Sequence, residues 1–132
     1  MVKHVLDIGN CSVDHATVKR LIESNFEAQV SQAHGEHDAF QALRSQQKYQ
    51  LVLINRILHR DGQEGLELIR RIKSDPLLTS IPVMLITNFE DYQQRAIDAG
   101  AERGFGKQSL QSPETRQRLA ALLNGSEAAG EG

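Results

Sequence analysis

The strongest constraint on this chain is an alternation of short aliphatic runs with segments of helical periodicity. Tyr49-Gln50-Leu51-Val52-Leu53-Ile54 ends in four consecutive aliphatic residues, and Ile81-Pro82-Val83-Met84-Leu85-Ile86-Thr87 is a second such run. A strand wetted on one face alternates apolar with polar residues, so unbroken runs belong to strands covered on both faces. Pro82 stands at the start of its run, where a missing N–H is tolerated. Each run is followed by apolar residues at helical spacing. These are Leu66, Ile69 and Ile72 after the first, and Tyr92, Ala96 and Ile97 after the second.

The rest of the chain repeats the pattern. Val5-Leu6-Asp7-Ile8 reads as a strand ended by Gly9-Asn10, and Ser12 is placed to cap a helix carrying Val18, Leu21 and Ile22. Ala28-Gln29-Val30 is a weaker strand, and Gly35 precedes a helix with Phe40 and Leu43. Ala101 to Gly106 reads as a short last strand. Ser112-Pro113 opens the last helix with a capping hydroxyl and a proline at its first position, ahead of Leu119, Leu122 and Leu123. Five strand–helix pairs in this order predict an α/β fold, a doubly wound parallel five-stranded sheet with helices on both faces. Ligands of such sheets bind beyond the carboxyl ends of the strands. Attention therefore falls on Gly9-Asn10, Gly35, Asn55, Thr87-Asn88 and Lys107.

Composition narrows the class further. A length of 132 residues suits one domain, and 39% hydrophobic content with a net charge of -2 excludes a disordered chain. The single cysteine, Cys11, excludes an internal disulfide and a cysteine-rich metal site. The charge balance shows no nucleic-acid footprint. No run of about 20 apolar residues and no signal peptide is present, so a cytoplasmic domain without membrane contact is expected. Residues 1–124 are expected to form that domain. Residues 125–132 are expected to be a flexible tail, its last Glu131-Gly132 reading as an expression scar.

Leu51 to Asn55, Gly65 to Lys73, Ile81 to Thr87 and Ala99-Gly100-Ala101 stand in an order and spacing that resemble the receiver domains of two-component response regulators. The resemblance runs from Lys3 to about Leu123 and implies the CheY-like, flavodoxin-like (βα)5 fold. It also implies a chemistry. An acidic pair after the first strand and an aspartate ending the third hold Mg²⁺. That aspartate takes a phosphoryl group from a phosphohistidine, and a Thr or Ser and a Lys bond the phosphoryl oxygens.

Carried over by position, Thr87 matches the hydroxyl and Lys107 the lysine, but Gly9 and Asn10 fall on the acidic pair and Asn55 on the phosphoacceptor. Gln108 replaces the usual proline, and Gly104 falls where many receivers carry a switch aromatic, with Phe105 beside it. The loop after Asn55 is about two residues longer than usual, with Arg56, His59, Arg60 and Asp61. An asparagine amide is a poor nucleophile, and neutral Gly9, Asn10 and Asn55 offer no charge to a dication. A degenerate receiver is therefore expected, with no catalytic residue, no cofactor, and Mg²⁺ binding weak or absent. Lys107 is expected to have lost its counter-ions. Gly9, Asn10, Asn55, Thr87 and Lys107 would leave a polar, mildly positive crevice better suited to phosphate or sulfate.

The expected function is a signalling module, not an enzyme, acting in phosphorelay signal transduction by protein–protein contact. Its partner would be a kinase, an output domain or a second copy, bound through the face of helix 4, strand 5 and helix 5. Tyr92, Arg95 and Phe105 are the residues expected there. Two alternatives compete: a phosphoacceptor using Asp7 or Asp61, or a small-molecule-binding flavodoxin-like domain. By strand alternation Asp7 lies on the side of Gly9, not of Asn10. His34-Gly35-Glu36-His37-Asp38 reads as an ordinary polar turn rather than a metal site, and Asp14 with His15 as helix capping. His59 reads as an exposed surface residue, and Cys11 as a half-buried thiol.

Overall fold

The computed structural model describes residues 2–124, and the tail expected over 125–132 lies outside them. The strands are β1 (Lys3–Ile8), β2 (Ala28–Ala33), β3 (Leu51–Asn55), β4 (Val83–Ile86) and β5 (Glu102–Phe105). The helices are α1 (Ser12–Asn25), α2 (Glu36–Leu43), α3 (Gly65–Ser74), α4 (Glu90–Asp98) and α5 (Pro113–Leu123). One sheet in the order β2-β1-β3-β4-β5 holds all five strands, every pair parallel. This is the doubly wound, flavodoxin-like (βα)5 architecture that the resemblance implies.

Side chains along each strand divide between two cores, as a period of two requires. Leu6, Ile8, Val52, Ile54, Val83 and Leu85 pack with Leu43 of α2, Ile69 and Ile72 of α3 and Ala96 of α4. Val5, Leu51, Leu53, Met84 and Ile86 pack with Val18 and Ile22 of α1 and Leu119 and Leu123 of α5. Leu51 to Ile54 are all fully buried, which accounts for the absence of polar alternation in β3. Each such aliphatic side chain contributes about 1.5–3 kcal/mol of burial.

Several local expectations are corrected. Ser12 is the first residue of α1, and the cap position is Cys11, with no side-chain cap bond. β2 runs on to Ala33, because pairing with β1 continues to Ile8. The hydroxyl of Ser112 does cap α5, accepting from the Thr115 N–H at 3.2 Å. Phe105 does not belong to an exposed interaction face. It is 2% exposed and packs with Met84, Ile86 and Leu119, because alternation turns it inward. Beside it, a Cβ on Gly104 would lie 2.3 Å from the Leu85 carbonyl oxygen. Only glycine allows β5 to approach β4 this closely, where the register shifts between Met84 and Ile86.

Candidate functional site

The carboxyl ends of β1, β3 and β4, with the segment after β5, bring Gly9, Asn10, Asn55, Thr87 and Lys107 to one edge of the sheet. The long loop after β3 decides what they can do. It folds back on itself: Ile57 bridges Glu64, the Leu58 N–H donates to the Gln63 carbonyl at 2.8 Å, and Gly62 turns the chain at φ 74°. The His59 N–H then donates to the Gly9 carbonyl at 2.8 Å. This pins Leu58, which is fully buried, against Gly9. Gly9 has φ 87°, so the first position of the expected acidic pair is both left-handed and covered by an aliphatic side chain.

Asn10 is withdrawn in another direction. Alternation separates it from Asp7, but the turn at Gly9 carries it back, and its Nδ2 donates to Asp7 Oδ1 at 2.7 Å. Asp7 Oδ2 meets His15 Nδ1 of α1 at 2.7 Å. Asp7 is fully buried, and burial pushes its carboxyl above the usual range against the pull of His15, Asn10 and Lys107. His15 therefore belongs to a buried polar cluster, not to a solvated cap. Asn10 Oδ1 has no hydrogen-bond partner among the described residues.

The remaining three residues converge. Asn55 Nδ2 donates to the Ile57 carbonyl of its own loop at 2.6 Å. Thr87 is buried, and its Oγ1 accepts from the Phe89 N–H at 3.2 Å, opening α4. Lys107 Nζ donates to Asp14 Oδ2 at 2.8 Å, which holds the Asp14 carboxyl below the usual range. Lys107 thus keeps a counter-ion, supplied by α1 in place of the missing strand-end carboxylates. Asn55, Thr87 and Lys107 line a crevice of about 200 Å³ with Arg56, Asn88 and Phe89. Gly9 and Asn10 do not line it, so the five-residue crevice expected from sequence is divided.

Asp61 does not enter this crevice either. It is exposed, accepts from the Gln63 N–H at 3.0 Å, and faces Gly35. Asp38 caps the turn before α2 through the His34 and Gly35 N–H groups at 2.7 and 2.8 Å, as the polar sequence there suggested. No group of three or more His, Cys, Asp or Glu among the described residues is arranged to hold a metal. Gly9 supplies no ligand, Leu58 takes its space, and Asn55 offers only a neutral amide oxygen. This donor set does not fit Mg²⁺, which is held through carboxylate oxygens and retained waters.

Three participants were given no role in the sequence reading. Leu58 is one; an aliphatic pair, Ile57-Leu58, inside a polar loop was the available signal. Arg56 is another. Its guanidinium lies 5.5 Å from the Phe89 ring centroid and 4.9 Å from that of Tyr92, while Arg95 lies 5.0 Å from Tyr92. The third is Gln93 of α4, which is buried. Its Nε2 donates to the Leu85 and Thr87 carbonyls at 3.0 and 3.2 Å, and its Oε1 accepts from the Gly104 N–H at 2.9 Å. It ties α4 to β4 and β5.

The sequence matches the response regulator receiver domain over residues 12–122. The chain belongs to the response regulator receiver family. Receivers of this kind serve two-component signalling, and solved structures agree in fold. The signal receiver domain of a DNA-binding response regulator from Colwellia psychrerythraea 34H superimposes with a TM-score of 0.73 at 25% identity, covering 89% of this receiver and 98% of that chain. A response regulator from Thermotoga maritima gives 0.75 at 24% identity, covering 94% and 99%. One from Chloroflexus aurantiacus J-10-fl gives 0.80 at 17%, covering 94% and 99%. No curated protein matches the receiver. Among its described residues no helix is long and apolar enough to cross a membrane.

Proposed function

We propose that this receiver signals by protein–protein contact, without aspartyl phosphorylation and with Mg²⁺ binding weak or absent. One observation supports this above all. Asn55 stands at the phosphoacceptor position with its amide donating to Ile57, while Leu58 covers Gly9. An amide nitrogen has its lone pair delocalised and forms no stable acyl phosphate. Neither alternative carboxylate is well placed. Both oxygens of Asp7 are engaged inside the core, and Asp61 turns toward Gly35. Small-molecule binding in the Asn55 crevice itself is disfavoured by its size, about 200 Å³, against roughly 300–1,000 Å³ for ordinary ligand pockets.

The partner is a kinase, an output domain or a second copy of the receiver, met in the cytoplasm through α4 and its neighbours. Tyr92 and Arg95 remain candidates on this face. In this reading the receiver is a signalling module and not an enzyme. Incubation with acetyl phosphate and Mg²⁺, followed by intact-mass measurement, tests the proposal. No adduct is expected. A stoichiometric, acid-labile phosphoryl adduct would overturn it.

A further inference from the structure

We infer that the crevice beside Asn55 receives a carboxylate side chain from an acidic segment of a partner protein. The inference rests on the protein-contact reading above and gives that contact a chemistry. The residues lining the crevice include two cations, Arg56 and Lys107, and no carboxylate. Asn55, Thr87 and Asn88 add polar groups, so the site favours an anion over a cation or an apolar plug.

Arg56 is prepared for such a contact. Among the described residues no carboxylate lies within ion-pair range of it, and its guanidinium is held over the Phe89 and Tyr92 rings. A cation–π contact draws on the charge of the guanidinium and requires none of its five N–H donors. Held in place beforehand, the side chain loses less freedom on binding. Lys107 contributes as well: its ammonium has three donors, and the bond to Asp14 engages one.

Size and surroundings favour a protein side chain as the occupant. A volume of about 200 Å³ admits the head of an Asp or Glu side chain but not a nucleotide. Beside the crevice Phe89 is 55% exposed, the one aromatic among the large exposed hydrophobic residues that are described. Aromatic residues beside arginine are the composition of binding hot spots. The acidic group would enter between Arg56 and Lys107 while the neighbouring partner residues cover the Phe89 ring.

Amide NMR spectra of the ¹⁵N-labelled full chain, titrated with hexaglutamate, hexalysine and inorganic phosphate in turn, test this. Hexaglutamate is expected to give saturable shifts at Asn55, Arg56, Thr87 and Lys107, and hexalysine none. Arg56→Gln should weaken hexaglutamate about five- to tenfold. Arg44→Gln, which removes the same charge from the far end of α2, should change it less than about twofold. No saturable shift, equal weakening by the two variants, or phosphate binding more tightly than hexaglutamate would overturn the inference. Failure here without a phosphoryl adduct refutes this contact alone; the adduct refutes the protein-contact reading beneath it.

Discussion

Leu58 stands where a side chain on residue 9 would have to go: a Cβ built on Gly9 lies 2.7 Å from Leu58 Cγ. The contact joins the end of β1 to the long loop after β3. It replaces a charged strand end with an apolar one, and Leu58 is part of the core beside Ile8 and Leu66.

Restoring the acidic residue at this position should therefore harm the fold. Gly9→Asp must adopt a φ of 87° and displace Leu58. Left-handed strain and overpacking together should cost about 2–4 kcal/mol. Urea denaturation measures this; a stability within about 0.5 kcal/mol of wild type would show that Leu58 yields freely.

Asp7 gives stability an unusual pH dependence. Burial raises its carboxyl pKa in the folded state above the ordinary value of 3.8. Between those two values the folded chain holds a proton that the unfolded chain has released, so stability falls as pH rises through the window. Asp7→Asn has no such proton. The stability of the variant minus that of wild type should rise from pH 3.8 upward and level off above the raised value. Paired urea titrations across this range test it, and a difference flat in pH would refute it.

The Lys107–Asp14 pair behaves oppositely. Asp14 is lowered by its bond from Lys107, so its contribution is present above 3.8 and is lost as pH falls toward its lowered value. The two side chains are 34% and 40% exposed. Solvent screening then limits the coupling to under about 1 kcal/mol. A double-mutant cycle of Asp14→Asn and Lys107→Gln should show this at neutral pH, and less of it in high salt. Coupling unchanged by salt would place the pair in a drier environment than the geometry indicates.

Gln93→Leu should loosen α4 from β5. The substitution leaves the Gly104 N–H and the Leu85 carbonyl without their Gln93 partner. A buried unsatisfied group costs about 1–3 kcal/mol. Destabilisation by about 2–3 kcal/mol is expected, with faster hydrogen exchange at the Gly104 amide. Exchange at wild-type rates would mean that β5 is held without Gln93.

The candidate site was only partly legible in the chain. Thr87 and Lys107 could be placed because strand ends follow from the aliphatic runs before them. The resemblance placed Asn55 at the phosphoacceptor position, and its amide then marked it as a poor one. The return of Asn10 to Asp7 was missed because alternation holds only within a strand, and Gly9 at φ 87° ends it. Phe105 was misplaced because its burial depends on Met84, Ile86 and Leu119 packing around it, residues distant from it in the chain. Asp14 and Lys107 lie 93 positions apart, and no local pattern connects them.

The sequence by itself determined the five-strand α/β order, the covered faces of β3 and β4, and the loss of carboxylates at Gly9, Asn10 and Asn55. The first two follow from periodicity, a local property of the chain, and the third from the resemblance to receiver domains read position by position. Tertiary structure alone decided that Leu58 fills the place beside Gly9, that Asp14 takes over Lys107, and that Arg56 lies against Phe89 and Tyr92 beside a crevice without Gly9 or Asn10. Those outcomes depend on how loops of different elements pack in three dimensions, where distance along the chain has no bearing on contact.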